Sequence, residues 1–430
     1  MEKKPDIIPF TGYQKFIIAV LAFIQFTVVL DFMILSPLGD ILMKSMDITP
    51  SKFAYVVSSY AFSAGISGIL AAGFADRFDR KKLLMFFYAG FIIGTFFCGI
   101  ANTFETLLAA RIITGLFGGV IASVAMAIIT DLFEMRQRGR VMGTIQMSFA
   151  ASQVLGIPIG LYLATRWNWH VAFFMIVAVA VSVGIIMVAK VRPIIAHLKL
   201  QSDKSAFEHL LHTAKNKTYQ VGFIATAMLS IGGFMLMPFG SAFLVNNVGI
   251  PQGEIHWVFL FTGISSIIIM PIIGRLSDRI DKFKIFTVGS IWAIIMVVVY
   301  TNIGVTPLWL VIALNMLLFM GIMSRMVPSS ILTTAIPDMK DRGAFMSINS
   351  SLQQMSGGVS AVIAGLIVHQ QTKTSPIEHY DILGYVVSFV IVVCIYFLWR
   401  VSEVVKKKDK QNLDNTKGKA MFTEEMPAKV

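Results

Sequence analysis

The sequence predicts an all-α membrane protein whose twelve transmembrane helices form two pseudo-symmetric six-helix bundles. Of its 430 residues, 56% are hydrophobic and only 14% are charged, against roughly 45–50% and 25% in ordinary globular proteins. Long apolar segments alternate with short charged stretches, and two motifs recur at nearly the same spacing in the two halves. A soluble chain of this length would need far more charge to cover its surface.

Twelve segments are long enough to cross a bilayer, which takes about 20 apolar residues in a helix. The first segment is too long for a cleaved signal peptide, and Asp31 and Pro37 interrupt it. We call the segments spans one to twelve in chain order, and they cover residues 15–43, 53–75, 83–101, 106–130, 141–165, 169–190, 219–246, 254–275, 283–302, 306–335, 342–369 and 380–400.

The positive charges predict the orientation of these spans. With the N-terminus in the cytoplasm, the cytoplasmic segments hold 30 of the 36 Lys and Arg residues, the external loops hold four, and Arg111 and Arg325 lie within spans. This distribution follows the positive-inside rule and places both termini in the cytoplasm. The external loops are short and carry no Asn-x-Ser/Thr site, which favours a bacterial inner membrane.

The same sequence argues against several other classes of protein. The net charge of +12 comes from short clusters between apolar runs, so it does not indicate binding of nucleic acid. Cys98 and Cys394 lie in apolar segments, and His209 and His212 form an isolated HxxH pair in a basic loop, so we expect no metal site. A membrane enzyme would need a catalytic motif such as HExxH or GxSxG, and the sequence has neither.

Two motifs indicate that the chain is a duplicated six-helix unit. GFADRFDRKK at 73–82 matches GRLSDRIDKFK at 274–284 with an offset of 201 residues. EMRQRGRVMG at 134–143 matches DMKDRGAFMS at 338–347 with an offset of 204. Because six is even, the halves keep the same topology and pack as parallel repeats. The predicted organisation is a bundle over 1–190, a cytoplasmic linker over 191–218, a second bundle over 219–400 and a disordered basic tail over 401–430.

The first of these motifs resembles the loop signature of the major facilitator superfamily, with its glycine, its Asp-Arg pair and its basic run. RIITGLFGG at 111–119 resembles the span-four signature of that family, and WNWHVAFF at 167–174 is typical of its exporters. The family's usual glycine at the seventh motif position is Asp79 here and Asp281 in the repeat, and we expect these Asp residues to take a left-handed turn conformation. The resemblance implies the major facilitator fold.

Span five carries SQVLGIPIG at 152–160, which is similar to the glycine-proline motif of the family's exporters and antiporters. Gly156, Pro158 and Gly160 match that motif, but Ile157 stands between the first two of them. The motif that sugar-uptake members carry after span six is missing, and VRPIIAHLK stands there. The resemblance therefore implies the group of twelve-helix, proton-coupled exporters.

The resemblance also implies an inner gate at the cytoplasmic ends of the spans. Alternating access requires the two halves to lock and unlock there, and charged residues at helix ends can pair with each other or with a helix terminus. The alternative is that these residues only set the topology of the turns. The candidate gate residues are Gly73, Asp76, Arg77, Arg80, Arg138, Gly274, Asp278, Arg279 and Arg342.

Two ionisable residues lie at the same predicted depth in the N-terminal half. Asp31 is sixteen residues beyond Lys15, or roughly 24 Å up span one, and Arg111 is about six residues, or roughly 9 Å, down span four from the outside. In a core of about 30 Å these depths nearly coincide. An intramembrane acid beside an arginine is a candidate proton carrier, and the family's drug exporters use such a pair. The alternative is a structural ion pair between helices.

Other polar residues are candidates for a substrate cavity. Arg325 could bind an anionic substrate group, contact a backbone carbonyl at the kink before Pro328, or extend toward the interface; the second motif's offset pairs it with Ile121 in the first half. For the uncharged polar residues, hydrogen bonds between helices are the alternative to ligand contact. The other candidates are Tyr55, Ser59, Gln146, Gln153, Phe234, Met237, Asn315, Asn349 and Gln353.

The leading functional hypothesis is a proton-coupled antiporter that exports small amphipathic organic compounds. A symporter or facilitator for uptake of a nutrient is the alternative within the same fold, and a membrane enzyme or a sensor that does not transport are alternatives from other classes. The hypothesis implies a small-molecule substrate, protons and the lipid bilayer as partners. It implies no cofactor besides the proton gradient, and the resemblance implies that a monomer suffices.

Overall fold

The computed structural model describes residues 9–71, 78–195, 206–338 and 341–424. Within these ranges the chain is almost entirely helical, and a single β-bridge joins His369 and Glu378. The α-helices are α1 (Gly12–Ile34), α2 (Gly39–Met46), α3 (Pro50–Ala71), α4 (Arg80–Ile100), α5 (Phe104–Leu132), α6 (Met135–Ala151), α7 (Ile157–Arg166), α8 (Trp169–Lys190), α9 (Ala206–Lys215), α10 (Lys217–Phe234), α11 (Gly240–Asn246), α12 (Ile255–Arg279), α13 (Lys282–Thr301), α14 (Leu308–Ala335), α15 (Arg342–Ile367) and α16 (Tyr380–Glu424).

All twelve predicted spans are helical, which confirms the predicted fold class. Spans one, five and seven each consist of two successive α-helices, and the N-terminal bundle comprises α1–α8 while the C-terminal bundle comprises α10–α16. Eleven spans within the described ranges are long and apolar enough to cross a membrane. The twelfth, α15, is more polar and packs closely against α3: a Cβ on Gly65 would meet Met355, and one on Gly365 would meet Ala54.

Spans one and seven break at equivalent prolines. Pro37 lies in the turn between α1 and α2, and Pro238 lies in a short 3-10 turn between α10 and α11. Proline breaks a helix because it lacks the N–H that the helical hydrogen bond needs. Pro37 and Gly39 precede Pro238 and Gly240 by 201 residues, the offset of the first loop motif. The internal repeat therefore extends from the loops into the spans.

The repeated loops end in equivalent helix caps. Asp79 Oδ1 accepts a hydrogen bond from the backbone N–H of Lys81 at 2.9 Å, and Asp281 Oδ1 accepts one from that of Phe283 at 2.8 Å. The φ angles of the two Asp residues are −54° and −52°, so the expectation of a left-handed turn is wrong. An Asp at this place stabilises the first turn of the next helix as its N-cap.

The basic tail is helical in the structure, where the sequence leads us to expect disorder from residue 401. Helix α16 continues to Glu424, since extending a helix that already exists avoids the cost of nucleation. Lys406 Nζ lies 3.3 Å from Asp281 Oδ2, and Lys408 Nζ lies 2.9 Å from Asp338 Oδ1. These pairs hold the start of the tail against the loops of the C-terminal bundle.

The buried apolar residues distinguish the two membrane faces. We call the face that carries both ends of the chain the terminal face, and the other the opposite face. Toward the opposite face, one apolar core takes residues from both bundles, from Leu30 to Ile391. Toward the terminal face there are two cores, one from Ile17 to Ile194 in the N-terminal bundle and one from Leu210 to Val401 in the C-terminal bundle. The bundles are therefore joined mainly on the opposite face.

Candidate functional site

A carboxylate and a guanidinium meet inside the N-terminal bundle. Arg111 Nη1 on α5 lies 2.7 Å from Asp31 Oδ2 on α1 and also donates to the backbone oxygen of Asp31 at 3.3 Å. Thr95 on α4 donates to Asp31 Oδ1 at 3.2 Å. The side chains of Arg111 and Asp31 are 1% and 0% exposed. The structure thus brings together the two residues that the sequence places at one depth.

Glycines of the span-four signature let α5 approach α3 closely enough to bury this pair. A Cβ on Gly115 would lie 2.5 Å from the backbone oxygen of Tyr60, and one on Gly119 would lie 2.2 Å from that of Ala64. A larger residue at either position would push the helices apart, because helix interfaces are close-packed. At this separation the guanidinium carbon of Arg111 lies 4.4 Å from the centroid of the Tyr60 ring, a cation–π contact.

The hydrogen bonding of Arg111 is incomplete. Its Nε is buried and finds no hydrogen-bond partner among the described residues, and an unsatisfied buried donor costs about 1–3 kcal/mol. A purely structural ion pair would be expected to use this donor, since buried polar groups are nearly always hydrogen-bonded. Among the described residues, the guanidinium thus has one buried donor without a partner.

A cavity lies between the two bundles and is suited to an organic ligand. It comprises about 1210 Å³ of space between atoms, part of it open to solvent, and its wall is mainly apolar with a few polar groups, as in sites for small organic ligands. Span one contributes Met33 and Ser36 to its wall. Six of the residues predicted for a cavity line it: Gln153, Phe234, Met237, Asn315, Arg325 and Gln353.

Three other predicted cavity residues lie elsewhere. Tyr55 is 46% exposed, Ser59 donates to the backbone oxygen of Val56 at 2.9 Å, and Asn349 has a buried oxygen without a partner among the described residues. They are not part of the cavity wall, because the close packing of α3 against α15 turns these positions away from it. The side chain of Gln146 is outside the part of the structure that is described.

Sequence reasoning missed the aromatic part of the cavity wall. Phe149, Phe259 and Phe319 line the cavity together with Tyr300 and Tyr380. Aromatic residues within apolar spans carry no signal that separates a cavity wall from a lipid-facing surface. Only the packing of the spans distinguishes the two.

Aromatic contacts connect the ion pair to the cavity. The Tyr60 ring that covers Arg111 has its centroid 5.5 Å from that of Phe32, and Phe32 lies 6.2 Å from Phe234 by the same measure. Phe234 lines the cavity. A displacement of Arg111 would therefore reach the cavity wall through two ring contacts.

The span-five motif positions span five between the two bundles. Ser152–Gly156 form a π-helical turn in which the N–H of Ile157 donates to the backbone oxygen of Ser152, and such a turn accommodates one extra residue in a helix. A Cβ on Gly156 would lie 2.5 Å from Leu30, and one on Gly160 would lie 2.8 Å from Ile34. The extra residue Ile157 is thus absorbed, and both glycines still pack against span one.

Pro158 of the same motif is buried near the start of α7, a position that proline tolerates. On the other side of span five, a Cβ on Gly263 of α12 would lie 2.7 Å from Val154. This contact joins the N-terminal bundle to the C-terminal bundle. The motif therefore sets a close crossing with span one and supports an interface with span eight.

Three polar residues close the opposite face, and we call them the latch: Asp40 and Lys44 on α2, and Asn246 on α11. Asn246 Nδ2 donates to Asp40 Oδ1 at 2.7 Å. Lys44 Nζ lies 2.8 Å from Asp40 Oδ2 and 3.0 Å from Asn246 Oδ1. Nearby, a Cβ on Gly39 would lie 2.9 Å from the backbone oxygen of Pro238. The latch was not among the predicted residues, although the matching Pro-x-Gly breaks of spans one and seven are a sequence signal for it.

The candidate gate residues of the N-terminal bundle are only partly described. Gly73, Asp76 and Arg77 lie outside the described residues. Arg80 Nε lies 3.2 Å from Asp131 Oδ2, which ties α4 to the end of α5. Arg138 donates to the backbone oxygens of Phe133 at 3.0 Å and Thr130 at 2.8 Å. Both arginines therefore brace the terminal end of span four.

In the C-terminal bundle, Gly274 lies within α12 with open space around its Cβ position. Arg279 and Arg342 are exposed, and the side chain of Asp278 is not described. The residue Asp341, just before α15, accepts hydrogen bonds from His209 at 2.9 Å and from the Tyr219 hydroxyl at 2.9 Å. His209 thus has an acidic neighbour in space, which its sequence context did not reveal. Among the described residues, no group of three or more His, Cys, Asp or Glu could hold a metal ion.

The family is decided by comparison with known proteins. A family model described as the Major Facilitator Superfamily matches residues 21–215 and 222–424. The chain belongs to this superfamily. The resemblance drawn from the loop and span motifs is therefore confirmed, and the family and fold are those of membrane transporters.

Relatives within the superfamily cover most of the chain at low identity. YceJ, an MFS-type transporter of Bacillus subtilis, is 24% identical over 382 residues, covering 86% of this chain and 93% of its own. The bicyclomycin resistance protein homolog of Haemophilus influenzae is 21% identical over 349 residues, covering 77% and 83%. Multidrug resistance protein 3 of Bacillus subtilis is 32% identical over 159 residues, covering 34% and 31%.

Solved structures show the same fold. A bacterial homolog of the human lysosomal transporter Spinster, in its inward-facing and unoccupied conformation, has a TM-score of 0.74 at 15% identity, covering 93% of this chain and 99% of its own. The D-xylose–proton symporter also has a TM-score of 0.74 at 15% identity, covering 90% and 98%. At these identities the likeness concerns the fold alone.

Proposed function

We propose that this transporter is a proton-coupled antiporter that exports small amphipathic organic compounds from a bacterial cytoplasm by alternating access. The observation that carries the proposal is the Asp31–Arg111 pair, in which a fully buried carboxylate faces a guanidinium with an unused donor. Ionisable residues at membrane depth are costly and mark proton pathways by default. The names of two relatives, a multidrug resistance protein and a bicyclomycin resistance protein homolog, support the direction and the substrate class.

The proposed cycle begins with an ionised Asp31 paired with Arg111 and a cavity loaded from the terminal face. The positive-inside distribution of Lys and Arg supports a cytoplasmic location for this face. After the transporter reorients, a proton from outside neutralises Asp31 and weakens the pair. Arg111 then shifts against Tyr60, and the contacts through Phe32 move the cavity wall at Phe234, which releases the substrate. The protonated carrier returns and loses its proton inside, so one site couples the two fluxes.

Opening and closing of the two faces completes the cycle. In this proposal the latch of Asp40, Lys44 and Asn246 lies on the external face, and the candidate gate residues take over on the cytoplasmic face when the external face opens. A short polar latch suits this role, because an element with two states needs a bias of only a few kcal/mol.

Uptake by proton symport is the second candidate function. A D-xylose–proton symporter shares the fold, so a buried acid in this scaffold is compatible with either direction. The two functions differ in the sign of coupling: an antiporter exchanges substrate for protons, whereas a symporter moves both together. The span-five glycine-proline motif supports antiport.

The test uses inside-out membrane vesicles acidified within by respiration and loaded with a fluorescent pH probe. Lipophilic cations, organic anions, antibiotics, sugars and amino acids are added in turn to vesicles with wild-type protein, Asp31→Asn or Asp47→Asn. Asp47 is the control, because its carboxylate is 75% exposed. We expect one class of compound to collapse the gradient partly with wild type and Asp47→Asn, but not with Asp31→Asn.

Equal collapse in the Asp31→Asn vesicles would contradict the role of Asp31. If no compound collapses the gradient, and a sugar or amino acid instead enters right-side-out vesicles together with protons, the symporter alternative replaces the antiporter.

A further inference from the structure

One buried charge takes no part in the proposed proton cycle. Arg325 on α14 is 1% exposed and lines the cavity. Its Nε donates to Ser290 Oγ at 3.1 Å, and its guanidinium carbon lies 5.5 Å from the centroid of the Phe286 ring. The Cys394 thiol forms a side-chain hydrogen bond with the same guanidinium. Its Nη2 is buried and has no hydrogen-bond partner within the part of the chain that the structure describes.

The C-terminal bundle has no acid at the position where the N-terminal bundle has one. The offset of 201 residues that relates Pro37 to Pro238 also relates Asp31 to Gly232. Gly232 lines the same cavity as Arg325. The repeat therefore supplies no carboxylate at this position, where a Cβ would lie 3.4 Å from Val390.

The described part of the cavity wall has one charged residue. Arg325 is that residue, and the described wall contains no Asp, Glu, Lys or His. Most of the other wall residues are Phe, Met, Leu, Ile and Gly. A charge buried without a counter-ion is strongly unfavourable. The missing negative charge is therefore expected from a ligand in the cavity, and guanidinium groups bind carboxylates by charge-assisted hydrogen bonds.

We infer that the substrate is an amphipathic organic monoanion, whose carboxylate binds Nη2 of Arg325 and whose apolar body contacts the Phe and Met residues of the wall. This inference deepens the proposed function and rests on it for the direction of transport. A lipophilic cation would meet repulsion from the one charge in the wall. A dianion would bring a second charge for which the described wall has no partner.

The test is a binding experiment on the purified full-length protein in detergent, without a proton gradient. Three compounds share a naphthalene ring and differ in charge: 2-naphthaleneacetate, 2-naphthaleneacetamide and 2-(2-naphthyl)ethylammonium. Isothermal titration calorimetry measures their dissociation constants. We expect the wild type to bind the acetate roughly 10- to 100-fold more tightly than the amide, since a charge-assisted hydrogen bond distinguishes them, and the ammonium compound most weakly.

The variant Arg325→Gln should bind acetate and amide equally, with an affinity close to that of the wild type for the amide. Arg325→Lys, which keeps the charge, should retain part of the preference. Arg400→Gln is the control: Arg400 is exposed on α16, so this variant should keep the full preference.

A wild type without a preference for the acetate overturns the inference, even if neither Arg325 variant folds. A preference that survives in Arg325→Gln overturns the assignment of the site. The proton cycle is tested separately, because binding needs no gradient. An intact preference for the anion together with unchanged gradient collapse in Asp31→Asn vesicles would contradict only the role of Asp31.

Discussion

Each bundle buries an arginine at membrane depth, but only the N-terminal bundle supplies a carboxylate for it. Arg111 faces Asp31 at 2.7 Å, whereas Arg325 contacts a serine hydroxyl and an aromatic ring. The two arginines are not repeat equivalents, since the offsets place Gly232 at the position of Asp31 and Ile121 at the position of Arg325. A duplicated scaffold has thus acquired two different electrostatic sites. We propose that the Asp31–Arg111 pair binds and releases the proton and that Arg325 in the cavity binds the substrate.

The largest effect is expected from breaking the pair. Asp31→Asn leaves Arg111 buried without its counter-ion, and Arg111→Gln leaves the Asp31 carboxylate buried without its own. Each variant should therefore lower the free energy of unfolding by about 3–5 kcal/mol. The double variant should lose much less than the sum. Thermal unfolding of the four proteins in one detergent measures this coupling. Additive losses would mean that the two side chains do not interact.

Close packing around the pair should produce the next largest effect. Gly119→Ala adds a Cβ at 2.2 Å from the backbone oxygen of Ala64, so α5 must move away from α3 at a cost of about 1–3 kcal/mol. Gly143→Ala is the matched control, because nothing lies within 4 Å of its Cβ position. Thermal unfolding should show a loss for the first variant and none for the second. Equal behaviour would show that the helix contact is not tight.

The latch that joins the two bundles should produce a smaller effect. Asp40→Asn weakens the contacts to Lys44 and Asn246, and a partly buried charged hydrogen bond contributes about 1.5–3 kcal/mol at most. We expect a larger fraction of molecules open on the opposite face. Double electron–electron resonance between spin labels on cysteines introduced at Thr49 and Gly253 measures that fraction. The native cysteines, Cys98 and Cys394, are both buried and should not react with the label.

Asp47→Asn is the comparison for the latch. It removes the pair of Asp47 with Lys373, whose two side chains are 75% and 51% exposed. Exposed pairs contribute about 0–1 kcal/mol, so the distance distribution should change less than in Asp40→Asn. A larger change in Asp47→Asn would assign closure to the exposed pair instead.

The smallest effect on stability is expected from replacing Arg325, the buried arginine of the C-terminal bundle. Comparing it with Arg111 tests whether only the N-terminal arginine has a counter-ion. Arg325→Met removes a buried charge that has no carboxylate partner among the described residues, so the melting temperature should stay the same or rise. Arg111→Met should lower it. If Arg325→Met is as destabilising as Arg111→Met, the C-terminal arginine has a counter-ion and the comparison fails.

The sequence predicts those features that depend on depth and composition. The twelve spans follow from apolar length, and the meeting of Asp31 with Arg111 follows from counting residues along two helices. The rotation of each helix is set by its neighbours, so depth and composition alone do not reveal that Tyr55 and Asn349 lie outside the cavity wall. The latch forms only when the helix breaks of spans one and seven lie side by side, which the sequence does not show. Whether Asp79 caps a helix or takes a left-handed turn depends on the path of the chain after the loop.

The central claim is that Asp31 carries the exchanged proton. The direct measurement adds a compound that collapses the vesicle gradient to purified protein in a weakly buffered medium with a pH-sensitive dye. Linkage between protonation and binding predicts that the wild type releases up to about one proton for each molecule bound, and that Asp31→Asn releases none while still binding the compound. Release of the same number of protons by Asp31→Asn would contradict the claim.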